Sequence, residues 1–152
     1  MSTEQIATAR LTVDVVLIGR RQGADHVLLI ERGWEPFAGR WALPGGHVDV
    51  GEDTTNTAAS AARELAEETG IDIAVDDLVP VGTWAQPGRD PRGRYSTDVW
   101  TTVVAGTPAP AAGDDATAAR WVPVDDVLAD AGALAFDHLA LIVAAVNALE
   151  FR

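Results

Sequence analysis

Residues 45–71, GGHVDVGEDTTNTAASAARELAEETGI, hold four of the chain's eight glutamates. Three of them, Glu64, Glu67 and Glu68, stand at i, i+3 and i+4, so a helix brings their carboxylates onto one face. Like charges at this spacing destabilise a helix by about 0.2–0.5 kcal/mol per pair, and no lysine is interspersed to offset them. Carboxylate oxygens suit hard cations such as magnesium, which also bind substrate phosphates. The stretch therefore predicts a helix with a cation site for phosphoryl chemistry.

The same stretch resembles the signature of the Nudix hydrolases, which is Gly, five residues, Glu, seven residues, then Arg-Glu-apolar-any-Glu-Glu-any-Gly-apolar. Gly46 and Glu52 fit the first part, and residues 63–71, RELAEETGI, fit the second without a mismatch. Ten residues rather than seven separate Glu52 from Arg63, so three residues either lengthen the helix at its start or widen the loop before it. The position of Glu52 depends on which occurs. The alternative interpretation is an alanine-rich amphipathic helix with a solvated acidic face.

The composition is that of one acidic globular domain. With 152 residues, 16.0 kDa and 47% hydrophobic residues, we expect a single domain over residues 1–152. All 11 basic residues are arginine and the net charge is −12, which argues against a broad basic surface for nucleic acid. The absence of cysteine removes disulfides, thiolate zinc sites and a thiol nucleophile. No signal-peptide core or membrane-spanning run is present, so we expect a cytoplasmic protein with no membrane partner.

The hydrophobic pattern predicts an α/β domain. Strands are predicted over residues 11–18, 27–31, 41–43, 78–84, 95–105 and 119–122, with a mobile loop over 106–115. The acidic helix is expected to start after Asp53, Thr54 or Thr55 as N-cap, to end at Gly70 and to turn inward Ala58, Ala61, Ala62, Leu65 and Thr69. A last helix follows Asp137 as cap, with an apolar stripe of Leu139, Ile142, Val143, Val146 and Leu149. The resemblance supplies the topology: a Nudix-type α/β/α sandwich with a mixed β-sheet and helices on both faces.

The resemblance implies a metal-dependent pyrophosphohydrolase and a role for each residue of the signature. Magnesium, with manganese as the alternative, is expected at the backbone carbonyl of Gly46 and at Glu52, Glu64, Glu67 and Glu68. Water attacks phosphorus there. Catalytic roles fall to Glu64, as ligand or general base, to Glu67 and to Arg63, which orients a glutamate through a charge-assisted bond. Family members differ in which glutamate is the base, and Arg63 as an ordinary surface arginine is the alternative.

Stretches outside the signature look similar to the bacterial ADP-ribose pyrophosphatase branch, which hydrolyses ADP-ribose to AMP and ribose 5-phosphate. They are residues 87–94, PGRDPRGR, residues 113–116, GDDA, residues 120–123, RWVP, and residues 134–138, LAFDH. Asp114 and Asp115 are candidates for a further acidic residue from a loop. His47 is a candidate for touching substrate, whereas His26 and His138 are interpreted as structural. Substrate contacts are expected from Arg32, Phe37, Arg89, Arg92, Arg94 and Asp115.

Three other functions are alternatives for the same chain. A MutT-like nucleoside triphosphate pyrophosphohydrolase and a hydrolase of another nucleotide sugar need the same glutamates. A non-catalytic domain that senses ADP-ribose belongs to a different class, and the three extra residues after Glu52 are the feature that favours it. Such regulators carry a DNA-binding module, for which this chain is expected to have no room. Homodimerisation is common among relatives of the branch and stays open.

Overall fold

A seven-stranded mixed sheet forms the middle of the fold in the computed structural model, which describes residues 8–113, 116–130 and 132–150. The strands are β1 (Arg10–Arg21), β2 (Ala24–Arg32), β3 (Trp41–Ala42), β4 (Gly45–His47), β5 (Val79–Trp84), β6 (Tyr95–Ala105) and β7 (Ala116–Pro123). The helices are α1 (Ala58–Thr69), α2 (Val124–Ala129) and α3 (His138–Glu150), with one 3₁₀ turn at Val75–Asp77. None of these helices has the length and apolar character that crossing a membrane requires.

Strand β1 is the centre of the sheet. It pairs antiparallel with β2 and β4 and parallel with β6, and the strand order is β3-β2-β1-β6-β5 with β7 beside β2. Residues 13, 15, 16, 17 and 18 of β1 are almost fully buried. Both faces of this strand are therefore covered, which explains why its sequence is a nearly continuous apolar run.

Two apolar layers cover the sheet, one on each face. Leu65, Ala58 and Ala61 of α1 pack against Val13, Val15 and Leu17 of β1. Residues from α2 and α3 pack on the opposite face against Val16 and Ile18. Helices on both faces of a mixed sheet confirm the predicted fold class.

The structure corrects several local predictions. Helix α1 begins at Ala58 after Thr57, not after residues 53–55, because the carboxylate of Asp53 bonds the backbone of Thr55 and Asn56 in the preceding loop. The buried residues of α3 are His138, Leu141, Ile142 and Ala145, whereas Val143 is exposed. The short elements β4 and α2 were not predicted. Proline before α2 and two aspartates in its first turn are start signals that could have revealed it.

Candidate active site

Helix α1 presents the glutamates of the signature beside the Leu43–Gly46 segment, which we call the glycine turn. The helix is held by the burial of Ala58, Ala61 and Leu65. It ends at Gly70, which has a φ of 72° and whose N–H bonds the carbonyl of Ala66. A left-handed residue at this place favours glycine, as the signature requires.

The residues between Glu52 and Arg63 divide between a loop, 53–57, and the first helical residues, 58–62. The side chain of Thr57 fixes the junction, because its hydroxyl donates to Asp98 (2.8 Å) and accepts from the indole N–H of Trp100 (2.9 Å). The extra residues do not carry Glu52 away from the helix. Its carboxylate accepts hydrogen bonds of 2.9 and 3.1 Å from the guanidinium of Arg63.

Arg63 lies at the centre of the acidic cluster. Besides Glu52, its guanidinium contacts Glu64 at 2.9 Å and Glu67 at 3.1 Å, and it donates to the carbonyl of His47 at 3.1 Å. These bonds lower the pKa of Glu52 to about 2 and raise the pKa of Arg63. The side chain of Arg63 is only 28% exposed and bridges three glutamates, which is the contact expected of a residue that orients them.

Glu68 and Glu64 contact the glycine turn directly. The backbone N–H of Gly45 donates to Glu68 at 3.1 Å, and Glu68 is 6% exposed. A Cβ on Gly46 would lie 2.6 Å from an oxygen of Glu64, so the missing side chain makes room for that carboxylate. Burial raises the pKa of Glu64 to about 7 although Arg63 opposes the shift. Positive charge beside these carboxylates would therefore stabilise the site.

The residues present fit a hard divalent cation. The available donors are carboxylates and the backbone carbonyl groups of the glycine turn. These are oxygen ligands of the kind that magnesium and manganese prefer. In the part of the chain that the structure describes, no three acidic or histidine side chains converge as ready ligands. Three of the glutamates are turned instead toward Arg63. To bind a cation, these three carboxylates would therefore have to give up some of their hydrogen bonds to Arg63.

A cavity of about 370 Å³ opens beside Glu68 and the glycine turn. The arginines Arg32, Arg89 and Arg92, which we call the arginine cluster, line it together with Phe136. Three predicted substrate residues therefore come together at one cavity. Arg94 and Phe37 are not among its lining residues: the side chain of Arg94 is exposed, and Phe37 packs edge to face on Phe136 at 4.8 Å. Asp114 and Asp115 lie outside the described residues.

Each arginine of the cluster is held differently. Arg89 makes two bonds to Asp137, of 2.7 and 2.9 Å, and Arg92 makes bonds of 2.7 and 3.1 Å to Asp90. Arg32 donates to the carbonyl of Pro36 and lies over the ring of Phe136 at 4.8 Å.

Arg32 differs from the other two because it makes no ion pair within 4 Å among the described residues. Burial, and then the charge of Arg92, lower the pKa of Arg32. An anion in the cavity would stabilise the charge of Arg32 more than that of its neutralised neighbours.

A family model described as the NUDIX domain matches residues 8–141. The chain belongs to the Nudix domain family. It is 39% identical over 118 residues to an ADP-ribose pyrophosphatase of Methanocaldococcus jannaschii, covering 78% of this chain and 64% of that protein. It is 39% identical over 94 residues to the ADPR responsive transcriptional repressor NtrR of Acinetobacter baylyi, covering 62% of this chain and 36% of the repressor.

One solved Nudix structure is similar over nearly the whole chain. It is the NUDIX domain of Shewanella oneidensis NrtR in a cocrystal with ADP-ribose, with a TM-score of 0.84 and 33% identity over 95% of this chain and 90% of that one. The two curated relatives are longer, since this chain spans 64% and 36% of their lengths.

Several residues that line this Nudix site or support it were not selected as site residues from the sequence, among them Asp14 and Asp90. Asp14 lines the cavity from the middle of β1, where a single carboxylate inside an apolar run was the available signal. Asp90 anchors Arg92 from a loop without periodicity, so no pattern pointed to it. His138 is buried and bonded to backbone, in agreement with its structural interpretation, yet it also lines the cavity.

Proposed function

We propose that this Nudix domain hydrolyses ADP-ribose to AMP and ribose 5-phosphate in a reaction that depends on a divalent metal, with magnesium as the expected ion. One observation carries the proposal: a single cavity is lined by Glu68 of α1, by the glycine turn and by the arginine cluster. A nucleoside diphosphate sugar has the matching chemistry, because a diphosphate needs both a cation and guanidinium donors. The similar ADP-ribose pyrophosphatase supports the same substrate.

The signature residues would hold the metal. The expected ligands are the carbonyl of Gly46 and the carboxylates of Glu52, Glu64, Glu67 and Glu68. When bound, magnesium supplies Lewis acidity toward phosphate oxygens and lowers the pKa of a water molecule. Arg63 keeps three of the glutamates on one side of α1.

The chain's other residues bind and orient the substrate. The arginine cluster faces the diphosphate, and Arg32 contributes a charge that makes no ion pair within 4 Å among the described residues. Glu64 serves as ligand or as the base that takes the proton from the attacking water, which displaces the leaving phosphate group. The protein is expected to act in the cytoplasm on this small molecule, without nucleic acid.

An ADP-ribose sensor is the second candidate. It is favoured by the similarity to the NUDIX domain of NrtR, which was crystallised with ADP-ribose, and to the A. baylyi repressor. A sensor needs the arginine cluster and the cavity, whereas it does not need the carboxylates. The retention of all the glutamates of the signature, and the contact between Glu52 and Arg63, support the hydrolase.

The deciding experiment is turnover with magnesium of ADP-ribose, other nucleoside diphosphate sugars, dinucleotides and nucleoside triphosphates, with product analysis. We expect ADP-ribose to be preferred and AMP to appear, and we expect EDTA to abolish turnover until excess magnesium is added. Preference for triphosphates would replace the substrate but keep the hydrolase. Binding of ADP-ribose without turnover of any compound would establish the sensor.

Replacing Arg32 by glutamine is expected to raise KM for ADP-ribose by about 10- to 100-fold, because hydrogen bonds to a charged partner contribute about 1.5–3 kcal/mol each. Arg94→Gln is the matched control, since Arg94 is exposed and does not line the cavity. Steady-state kinetics on both variants test the assignment. A larger effect from Arg94 than from Arg32 would mean that substrate approaches from another side.

A further inference from the structure

The glycine turn is fixed at three consecutive residues. The N–H of Leu43 donates to Nδ1 of His138 at 3.0 Å, the carbonyl of Pro44 accepts from the N–H of Val15 at 2.9 Å, and the N–H of Gly45 donates to Glu68 at 3.1 Å. The next residue is Gly46, whose carbonyl is an expected metal ligand. The partner of the second bond lies on strand β1 and that of the third on α1. The partner of the first is a histidine at the start of α3.

His138 belongs to a series of buried polar contacts beside the cavity. The residue is 4% exposed, and its Nε2 faces an oxygen of Asp14 at 3.5 Å. The other oxygen of Asp14 accepts from the hydroxyl of Thr97 at 2.6 Å. These polar contacts therefore link α3, the glycine turn, β1 and β6.

The bond to Leu43 requires a lone pair on Nδ1, so the ring is neutral and its proton is on Nε2, toward Asp14. Burial lowers the pKa of His138, which agrees with a neutral acceptor. Asp14 and Asp137 oppose that shift, and Arg89 and Arg32 reinforce it. A backbone N–H inside a packed wall needs such an acceptor, because losing it leaves a buried donor unsatisfied.

The two residues before His138 contact the arginine cluster. Phe136 lies under the guanidinium of Arg32, and Asp137 bonds Arg89. Residues 136–138 thus contact both halves of the cavity: the arginines through the first two residues, and the glycine turn through the third.

We propose that His138 is a positioning residue that sets the glycine turn relative to α1 by accepting the Leu43 N–H. The inference rests on the proposed function, and it goes beyond a histidine that merely fills the core. His138 does not touch the reacting atoms; it acts through Leu43 on the adjoining Gly45 and Gly46. A shift of this turn would misplace the metal-side carbonyl while leaving the arginine cluster in place.

A pair of amide substitutions separates this role from simple packing. In His138→Asn the side-chain oxygen takes the place of Nδ1, whereas in His138→Gln it takes the place of Nε2. We expect Asn to retain most of kcat and Gln to lose about 10- to 100-fold, the usual range for outer-shell partners of a metal site. KM for ADP-ribose should change little in either variant.

Leu141→Ala provides the stability control, because Leu141 is fully buried on the same helix and its side chain packs in the apolar cluster that contains Leu43 but cannot hydrogen-bond the turn. We expect it to lower Tm at least as much as His138→Gln while kcat, measured well below Tm, stays near the wild-type value. Equal kcat in Asn and Gln variants, or an equal loss of kcat in Leu141→Ala, would overturn the positioning role.

Amide hydrogen exchange keeps this test independent of the substrate. The Leu43 N–H should be protected in the wild type and in His138→Asn and should exchange faster in His138→Gln. If the wild type turns over no ADP-ribose, the proposed function fails, yet the exchange result still decides the positioning role. Equal protection of Leu43 in the Asn and Gln variants would contradict it.

Discussion

Glu67→Gln is expected to lower kcat for ADP-ribose by at least about 100-fold while the protein stays folded. The substitution keeps the shape of the side chain but removes the charge that a metal ligand needs, and metal-assisted charge stabilisation contributes several kcal/mol at about 1.4 kcal/mol per tenfold. The expected loss of stability is small. The side chain is 45% exposed and its contact with Arg63 is an i, i+4 pair of the kind that contributes about 0.5 kcal/mol.

Steady-state kinetics and a thermal melt of the same sample check both halves of this prediction. Glu150→Gln is the matched control, because it removes a carboxylate from an exposed position at the end of α3, away from the cavity. Full activity in Glu67→Gln would remove Glu67 from the metal ligands. A collapse of Tm in the same variant would show that the Arg63 contact is structural.

The acidic helix was predictable because its information is local. Glutamates at i, i+3 and i+4 fix one face of any helix that contains them, and Gly70 marks its end, so the sequence alone placed the carboxylates on one side of α1. The start of the helix was not predictable in the same way. Thr57 is held by Asp98 and Trp100, which lie about forty residues further along the chain on β6.

On the substrate side of the cavity, by contrast, the local sequence does not determine which side chains face inward. Arg89, Arg92 and Arg94 lie in one loop without helical or strand periodicity, so spacing does not reveal which side chains face inward. Side-chain partners make the choice: Asp137, distant in sequence, holds Arg89, and Asp90, in the same loop, holds Arg92, while Arg94 stays exposed. For the same reason, the sequence placed Phe37 at the substrate, although in the structure Phe136 lines the cavity and Phe37 packs against it.

Alanine substitutions at the two adjacent glycines of the turn are expected to differ in effect: at Gly45 the substitution should lower stability, and at Gly46 it should lower catalysis. A Cβ on Gly45 would overlap the backbone carbonyl of Val13 and would lie 2.6 Å from an oxygen of Asp14. Because Val13 pairs with both β4 and β6, that carbonyl cannot move aside without disturbing two strand pairings. Overpacking of this kind destabilises by about 1–3 kcal/mol, so Gly45→Ala should lower Tm by about 2–12 °C for a domain of this size.

Gly46→Ala should show the reverse pattern. The three atoms nearest to its Cβ would all belong to the carboxylate of Glu64, the far end of a flexible side chain, which can turn away at little cost to the fold. Turning it away displaces an expected ligand or base, so kcat should fall by about 10- to 100-fold with Tm within about 2 °C of the wild type. Gly132→Ala is the control, since among the described residues its Cβ would meet nothing closer than 4.0 Å. Equal losses of Tm in Gly45→Ala and Gly46→Ala would mean that Glu64 is held rigidly, and the turn would then serve the fold at both positions.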